Sequence, residues 1–241
     1  MNNSNTRRSK SQLEKDIMNA LERLVIERGF INIPMLAVVK EAGIDANIFY
    51  RHYGTIDKLY EKFVSQYNFW LNDTLHISDI RQSGDKRFYA ESLKRLYTEL
   101  KKNIVMQKLL LWELEEDNPT TRGTANMREK LNLNLFAYYE EVFAKSGIDI
   151  LGISAPLIAG IFYLILRHER STFCSLDLTS EQGEKRILDA IDTLVDILFE
   201  KLEEKKRQKE IIQRMLEDNI PEVKIAEYLG ISAYQLKKIL A

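Results

Sequence analysis

The 241-residue chain has few of the residues that build disulfides, metal clusters and frequent turns. Its single cysteine, Cys174, excludes an internal disulfide and a zinc site made of several cysteines. The three histidines, His52, His76 and His168, are far apart in sequence, and none has metal-ligand spacing to a second histidine. We therefore predict no metal and no cofactor. Ten glycines and four prolines are too few for a turn-rich β fold, so the composition favours an all-α protein.

The chain also lacks a large charge excess and a long apolar segment. Its formal net charge of -1 excludes a bulk polycation but leaves room for local basic patches. The polar N-terminus, MNNSNTRRSKSQ, has no apolar region of the kind found in a signal peptide. The longest apolar run, residues 155–166, is shorter than the roughly 20 residues that span a bilayer, and we interpret it as a buried helix. We expect a cytoplasmic protein with no membrane partner.

Helical spacing of apolar residues begins close to the N-terminus. A first helix is predicted from Leu13, Ile17, Leu21 and Leu24. Ser11 and Glu14 have the spacing of a capping box at its start. Gly43 separates a second helix from a short third one, which we expect the carboxylate of Asp45 to cap. Thr55 is the expected cap of a fourth helix.

The rest of the chain is predicted to be helical, without a convincing strand or a long-period repeat. Residues 76–86 have the composition of a polar linker. Further long helices are predicted over residues 124–144, from 154 to about 173, and from about 180 onward. We interpret the charged residues 203–210 as a solvated continuation of the last of these helices.

The stretch AGIDANIFYRHYGT, residues 42–55, has the pattern of a helix-turn-helix. Gly43 supplies the left-handed backbone conformation that a sharp turn needs. The residues expected to point inward and fix the third helix are Val39, Ile44, Phe49 and Tyr53. The outward residues, suited to reading bases or holding phosphates, are Ala46, Asn47, Tyr50 and Arg51. The alternative is that these aromatic residues only fill a small core.

Charge around this motif is modest. Up to Lys58 the chain has nine basic residues against seven acidic ones, which predicts moderate, salt-sensitive affinity for DNA. The N-terminal tail contains Arg7, Arg8 and Lys10 without an acid. It is either a disordered tail or a basic arm that contacts phosphates.

Residues 29–59, GFINIPMLAVVKEAGIDANIFYRHYGTIDKL, resemble the DNA-binding domain of the tetracycline-repressor (TetR/AcrR) family. The matching features are Gly29-Phe30, Ala42-Gly43-Ile44, Phe49-Tyr50, Tyr53-Gly54 and Asp57-x-Leu59. The rest of the chain resembles the family only in its helical layout. The resemblance implies a DNA-binding transcriptional regulator, not an enzyme. By family default it is a repressor that a small molecule releases from a pseudo-palindromic operator.

Four positions depart from the family pattern. Ile33 stands where Thr is common, Val39 where a small Ala is usual, and Asn47 where Gly is frequent. Ile56 replaces a Lys that often reaches phosphate, so we expect that contact to be missing, with Thr55 and Lys58 as nearby candidates. The predicted DNA-binding residues are Lys40, Asp45, Ala46, Asn47, Ile48, Tyr50, Arg51, His52, Thr55 and Lys58.

We divide the chain into a DNA-binding domain with its arm (1–58), a helical regulatory and dimerisation domain (59–204) and a C-terminal helical extension (205–241). The resemblance implies a homodimer built on the last two helices of the regulatory domain. The apolar stripe of the later helix is compatible with this: Ile187, Ile191, Leu194, Leu198 and Leu202. The resemblance also implies an effector cavity. Its candidate lining residues, each of a type found more often in an ordinary core, are Tyr97, Trp112, Phe136, Tyr139, Phe162 and His168.

The extension contains a second helix–glycine–helix pattern over residues 224–240, with Gly230 at the turn and Ser232 as a cap. Side chains that could face DNA there are Tyr234, Gln235, Lys237 and Lys238. The alternative is a helical hairpin that packs on the regulatory domain.

Two other classes of function are alternatives to a DNA-binding regulator. For an enzyme, the sequence suggests no Ser–His–acid or Cys–His set, because Cys174 falls in a predicted helical stretch near His168. The acidic cluster at residues 113–117 is interpreted as a solvated helix end. The remaining alternative is a helical protein-interaction module that does not bind DNA.

Overall fold

A computed structural model of the protein describes residues 9–31, 33–67, 84–144 and 146–240. Within these ranges the secondary structure is helical apart from one isolated bridge between Phe173 and Leu176, which confirms the predicted all-α class. The predicted features at Arg7, Arg8 and His76 lie outside the described residues.

Eleven helices lie in the described part of the chain. They are α1 (Lys10–Arg28), α2 (Met35–Ala42), α3 (Ala46–His52), α4 (Ile56–Ser65), α5 (Asp85–Lys102), α6 (Ile104–Glu115), α7 (Pro119–Phe143), α8 (Ile150–Arg167), α9 (Glu181–Glu217), α10 (Glu222–Tyr228) and α11 (Ala233–Leu240).

The chain forms two compact units. The first is drawn from residues 1–73 and 98–131, and the second from residues 74–97 and 132–241. The first unit therefore joins α1–α4 with α6, while α8–α11 belong to the second. The division proposed from sequence, at residues 58 and 204, stays a prediction.

The core of the first unit is built on the apolar face of α1 and on a cluster of aromatic rings. Ile17 and Leu21 have no exposed surface. Phe30 stacks on Trp112 of α6 with ring centroids 4.7 Å apart and planes 8° apart. The Tyr60 hydroxyl donates to the backbone carbonyls of Phe30 (3.1 Å) and Ile33 (3.3 Å), so the segment between α1 and α2 is held to α4.

The second unit is organised along α9, which has 37 residues and continues through the charged residues 203–210, as predicted. Of the stripe predicted for dimerisation, Ile191, Leu198 and Leu202 are buried within the chain itself. Leu194 is 48% exposed and its neighbour Ile197 is 58% exposed. The outward apolar surface of α9 is therefore narrower than the sequence pattern indicated.

Helix α8 is long and apolar enough, by length and composition, to cross a membrane, with a mean hydropathy of 2.0. Core helices of soluble proteins pass the same test. Only 22% of this segment is buried within the chain. The prediction of a buried helix thus holds for residues such as Ile161 and Ile165, whereas Tyr163 is 54% exposed.

Several predicted helix ends are wrong, each for a local reason. α1 is capped by Ser9, whose hydroxyl accepts from the Gln12 N–H (3.1 Å), and Ser11 lies inside the helix. α7 begins at Pro119 and not at residue 124. α8 begins at Ile150 because the Asp149 carboxylate caps it, and it ends at Arg167. Cys174 consequently lies in an exposed turn with φ 49°, not in a helix.

The acidic cluster at residues 113–117 is more than a solvated helix end. The Glu113 carboxylate pairs with the Arg128 guanidinium and also accepts from the Thr124 hydroxyl at 2.5 Å. Glu116 accepts from the Trp112 indole N–H at 2.7 Å. These carboxylates therefore have structural partners within the first unit.

Candidate nucleic-acid interface

The turn between α2 and α3 is built on Gly43, as predicted. Its backbone is left-handed, with φ 59° and ψ 47°. The Gly43 N–H donates to the Lys40 carbonyl and the Ile44 N–H to the Val39 carbonyl, both at 3.1 Å. This pair of bonds is the Schellman arrangement, which satisfies carbonyls at a helix end and reverses the chain within a few residues.

The inner face of α3 is fixed in the core of the first unit. Phe49 has no exposed surface, and Tyr53 is 9% exposed. Their ring centroids are 5.6 Å apart. Val39 of α2 is also buried, and Ile44 in the turn is half-buried. All four residues predicted to face inward are therefore at least partly covered, and they determine which side of α3 faces outward.

The start of α3 differs from the prediction. Asp45 occupies the N-cap position with an extended backbone, but its carboxylate makes no capping hydrogen bond. Its backbone carbonyl instead accepts from the N–H groups of Ile48 (2.9 Å) and Phe49 (3.3 Å). The prediction that the Asp45 carboxylate caps α3 is therefore wrong, and this exposed side chain lies at the protein surface.

The outer face of α3 contains a row of polar and aromatic side chains. Tyr50 is 56% exposed, and Asn47, Arg51 and His52 are also exposed. Ala46 and Ile48 are half-buried. An Asn amide and an Arg guanidinium offer the donors and acceptors that read base edges in the major groove, and a Tyr hydroxyl can hold a phosphate.

The remaining predicted contacts flank α3 on its neighbouring helices. Lys40, in the last turn of α2, is exposed, as are Thr55 and Lys58 at the start of α4. The Thr55 hydroxyl accepts from the Lys58 N–H at 3.3 Å, which confirms the predicted cap. Its own proton stays available to a phosphate oxygen. Ile56, where a lysine is common in the resembling family, is half-buried and supplies no charge.

Two ion pairs tie α1 to the helices that present α3. Arg23 of α1 and Glu41 of α2 are 2.6 Å apart, and Glu14 of α1 pairs with Lys62 of α4. The Lys62 hydrogen bond holds the pKa of Glu14 below its usual value. Exposed pairs of this kind contribute about 0–1 kcal/mol each, so they help to align the helices and add little to the stability.

Of the six predicted effector-lining residues, only Trp112 lies in the first unit. It is 4% exposed and borders a cleft of about 860 Å³. The wall includes Phe30, Tyr60, Pro34 and Asn118. Sequence reasoning missed Tyr60, since nothing in the spacing of α4 signals that its hydroxyl would reach carbonyls before α2.

The other five belong to the second unit. Tyr97 and Tyr139 are buried. The Tyr139 hydroxyl donates to the Asp85 carbonyl at 2.9 Å. Phe136, Phe162 and His168 are half-buried, and His168 Nδ1 lies 2.6 Å from the Ile165 carbonyl oxygen. The two buried tyrosines therefore act as packing residues in this structure.

Comparison with known proteins assigns the N-terminal helices to a family. The family model described as "Bacterial regulatory proteins, tetR family" matches residues 17–63, which cover most of α1, all of α2 and α3, and most of α4. No curated protein matches the chain. Residues 17–63 therefore form a DNA-binding domain of the kind found in tetR-family regulatory proteins, which supports a DNA-binding transcriptional regulator.

Proposed function

We propose that the protein is a repressor that binds a pseudo-palindromic operator as a homodimer and leaves it when a small molecule binds. The observation that carries the proposal is the placement of α3. Its buried Phe49 anchors a helix whose exposed side holds Asn47, Tyr50 and Arg51. In this account Asn47 and Arg51 contact base edges, while Tyr50, Thr55 and Lys58 contact phosphates.

Exposed apolar side chains support the homodimer. Ile153 and Tyr163 on α8 are 36% and 54% exposed, and Leu194 and Ile197 on α9 are exposed to a similar degree. Burying such residues against a second copy stabilises the dimer by about 25 cal/mol for each Å² of apolar surface removed from water. A two-fold dimer presents two copies of α3 at a fixed separation, which explains a pseudo-palindromic operator. A DNA target also supports the expected cytoplasmic location.

The Trp112 cleft supports an effector site. Its volume of about 860 Å³ lies within the usual range for small-molecule sites, and its lining includes the rings of Phe30, Tyr60 and Trp112. We expect a small, largely apolar or aromatic effector. The Tyr60 hydroxyl holds the segment that leads into α2. A bound effector that moves Tyr60 therefore also moves α2 and the turn between α2 and α3. Release of DNA requires that the effector bind the DNA-free arrangement more tightly.

The DNA-binding part is tested by fluorescence anisotropy with the duplex upstream of the protein's own coding sequence, over a range of salt concentrations. Wild type should show sequence preference and a steep salt dependence. Tyr50→Ala combined with Arg51→Ala should weaken binding at least about thirtyfold, since each lost contact costs about 1–3 kcal/mol. Arg28→Ala, which removes an exposed charge at the far end of α1, is the control. Equal affinity of the double variant and wild type would refute this function.

The effector site is tested with a panel of small aromatic compounds, ranked by the rise they cause in melting temperature. Compounds that raise it should also release operator DNA. Ile31→Trp fills part of the cleft from a half-buried position and should abolish both effects while operator binding is retained. If these compounds release DNA from the Ile31→Trp variant as they do from wild type, the effector binds outside this cleft.

A further inference from the structure

The C-terminal segment repeats the architecture of the DNA-binding domain. α2 begins after Pro34 and α10 after Pro221, each with an extended proline at the N-cap position. The same number of residues then leads to Gly43 in one segment and to Gly230 in the other. The following helices, α3 and α11, begin at equivalent residues, Ala46 and Ala233.

The two turns have the same hydrogen bonds. Gly230 has φ 61°, close to the 59° of Gly43. The Gly230 N–H donates to the Glu227 carbonyl at 3.1 Å, and the Ile231 N–H donates to the Ala226 carbonyl at 3.0 Å. These bonds reproduce the Schellman arrangement of the first turn residue for residue. The sequence pattern noted at Gly230 is therefore a turn of the same geometry.

The buried positions also correspond. Val25, Val38 and Phe49 have no exposed surface in the first domain, and neither do their equivalents Ile212, Ile225 and Leu236. The last three form a separate small core together with Ala226. The partly buried apolar residues around that core are Met215, Leu216, Ile220, Leu229, Ile231 and Ile239. The end of α9 thus has the place that α1 has in the first domain, and the segment supplies its own core.

The outer face of α11 suits an acidic partner. Tyr234 is 78% exposed at the position equivalent to Asn47, and the exposed Lys237 is equivalent to Tyr50. In sequence, Lys238 takes the place of Arg51, and α11 contains no acidic residue. Residues 205–241 contain eight Lys and Arg against five Asp and Glu, although the chain as a whole has a net charge of -1.

The start of α11 is well ordered for such a role. The Ser232 hydroxyl accepts from the Gln235 N–H at 3.2 Å, and the Gln235 side-chain oxygen accepts from the Ser232 N–H at 2.8 Å. This reciprocal capping box fixes the first turn of the helix. In helix-turn-helix proteins the first turn of the second helix is the part that enters the major groove.

From these correspondences we propose that residues 205–240 are a second helix-turn-helix, which binds double-stranded DNA through α11. Because the exposed side chains of α11 include Tyr234 and Lys237, this helix supplies mainly phosphate contacts and adds salt-dependent affinity to that of α3. This site lies outside the residues that the family model matches.

The test uses the full-length protein, in which Tyr50→Ala and Arg51→Ala remove the proposed DNA contacts of α3. Binding to a labelled duplex of mixed sequence is measured by anisotropy over a range of salt. Adding Tyr234→Ala and Lys237→Ala should weaken the remaining binding about tenfold and lower the salt slope by about one. The matched control adds Tyr228→Ala and Lys224→Ala, an exposed aromatic residue and lysine on α10, and should change neither quantity.

Circular dichroism confirms that each variant keeps its helical content. The proposal is overturned if the Tyr234/Lys237 variant and its parent bind DNA equally. It is also overturned if the substitutions change only the oligomeric state of the protein, because α11 would then contact protein and not DNA. Neither result bears on operator recognition by α3, because that is measured with the α3 variants alone.

Discussion

At the scale of single residues, one buried ring determines how α3 is presented. Phe49 has no exposed surface, whereas the adjacent Tyr50 is 56% exposed. Phe49→Ala should lower the free energy of unfolding by about 3–5 kcal/mol and abolish operator binding, because the helix loses its anchor.

Tyr50→Ala is the matched control for Phe49→Ala. It should change stability by about 0.5 kcal/mol or less while still weakening DNA binding. Urea unfolding and anisotropy on the same samples separate the two effects. Similar losses of stability in both variants would contradict this division of roles.

Buried tyrosines also predict how the first unit responds to alkali. Burial raises the pKa of Tyr60 to about 12, assisted by the charges of Asp57 and Glu116. Burial likewise raises the pKa of Tyr53 and of Tyr67 to about 12. In the unfolded chain these tyrosines lose their protons near pH 10. The stability that the protonated tyrosines contribute to the folded state is therefore complete below about pH 10 and is lost as pH rises towards 12.

We therefore expect the free energy of unfolding to fall between about pH 10 and 12. Tyr60→Phe removes one of these groups and should make the fall shallower, although it is less stable at neutral pH because two carbonyls lose a donor. Urea unfolding at a series of pH values measures both quantities. An identical pH dependence in the variant and wild type would contradict the assignment.

At the scale of helices, the pairing of α6 with α7 depends on a shielded carboxylate. The Glu113 and Arg128 side chains are 9% and 18% exposed, whereas Asp117 and Arg122 are about 70% exposed. Glu113→Ala should cost about 1.5–3 kcal/mol because it removes a shielded carboxylate that accepts from both Arg128 and Thr124. Asp117→Ala should cost much less, because solvent and salt screen this exposed pair. Equal losses in the two variants, measured by thermal unfolding, would contradict this ranking.

The existence of most helices could be predicted from sequence, while several of their ends could not. Gly43 and Thr55 were identified because a left-handed turn and a cap depend on local chemistry. α7 begins early because the backbone N–H of Asn118 donates to the Thr121 hydroxyl and the Thr121 N–H donates to the Asn118 side-chain oxygen, both at 3.0 Å. The spacing of apolar residues does not reveal such a cap. The start of α1 likewise depends on a local hydrogen bond, from the Gln12 N–H to the Ser9 hydroxyl.

At the scale of the molecule, the candidate DNA interface was predictable and the cleft was not. α3 and its flanking residues come from one continuous stretch, so spacing alone indicates their arrangement. Phe30, Tyr60 and Trp112 meet across long sequence separations, and no period in the sequence signals that α6 packs with α1. The narrow exposed stripe of α9 was equally hidden, because an apolar stripe does not say which residues face the chain's own core.

The proposed homodimer gives a prediction at this scale. Leu194→Asp combined with Ile197→Asp places charges on the exposed apolar surface of α9 and should shift the protein from dimer to monomer in sedimentation equilibrium. Leu114→Asp, on α6, is the control, since this leucine is 80% exposed and belongs to the first unit. A dimer that survives the double substitution would place the interface elsewhere.

The most direct test of the central claim, that α3 reads bases, is selection of bound duplexes from a random pool by wild type and by Asn47→Ala. Loss of the Asn47 amide should remove the preference at one base pair in each half-site and leave the other positions unchanged. Lys58→Ala, a phosphate contact in this account, should weaken binding to all sequences alike. An unchanged preference at every position with Asn47→Ala would contradict the account.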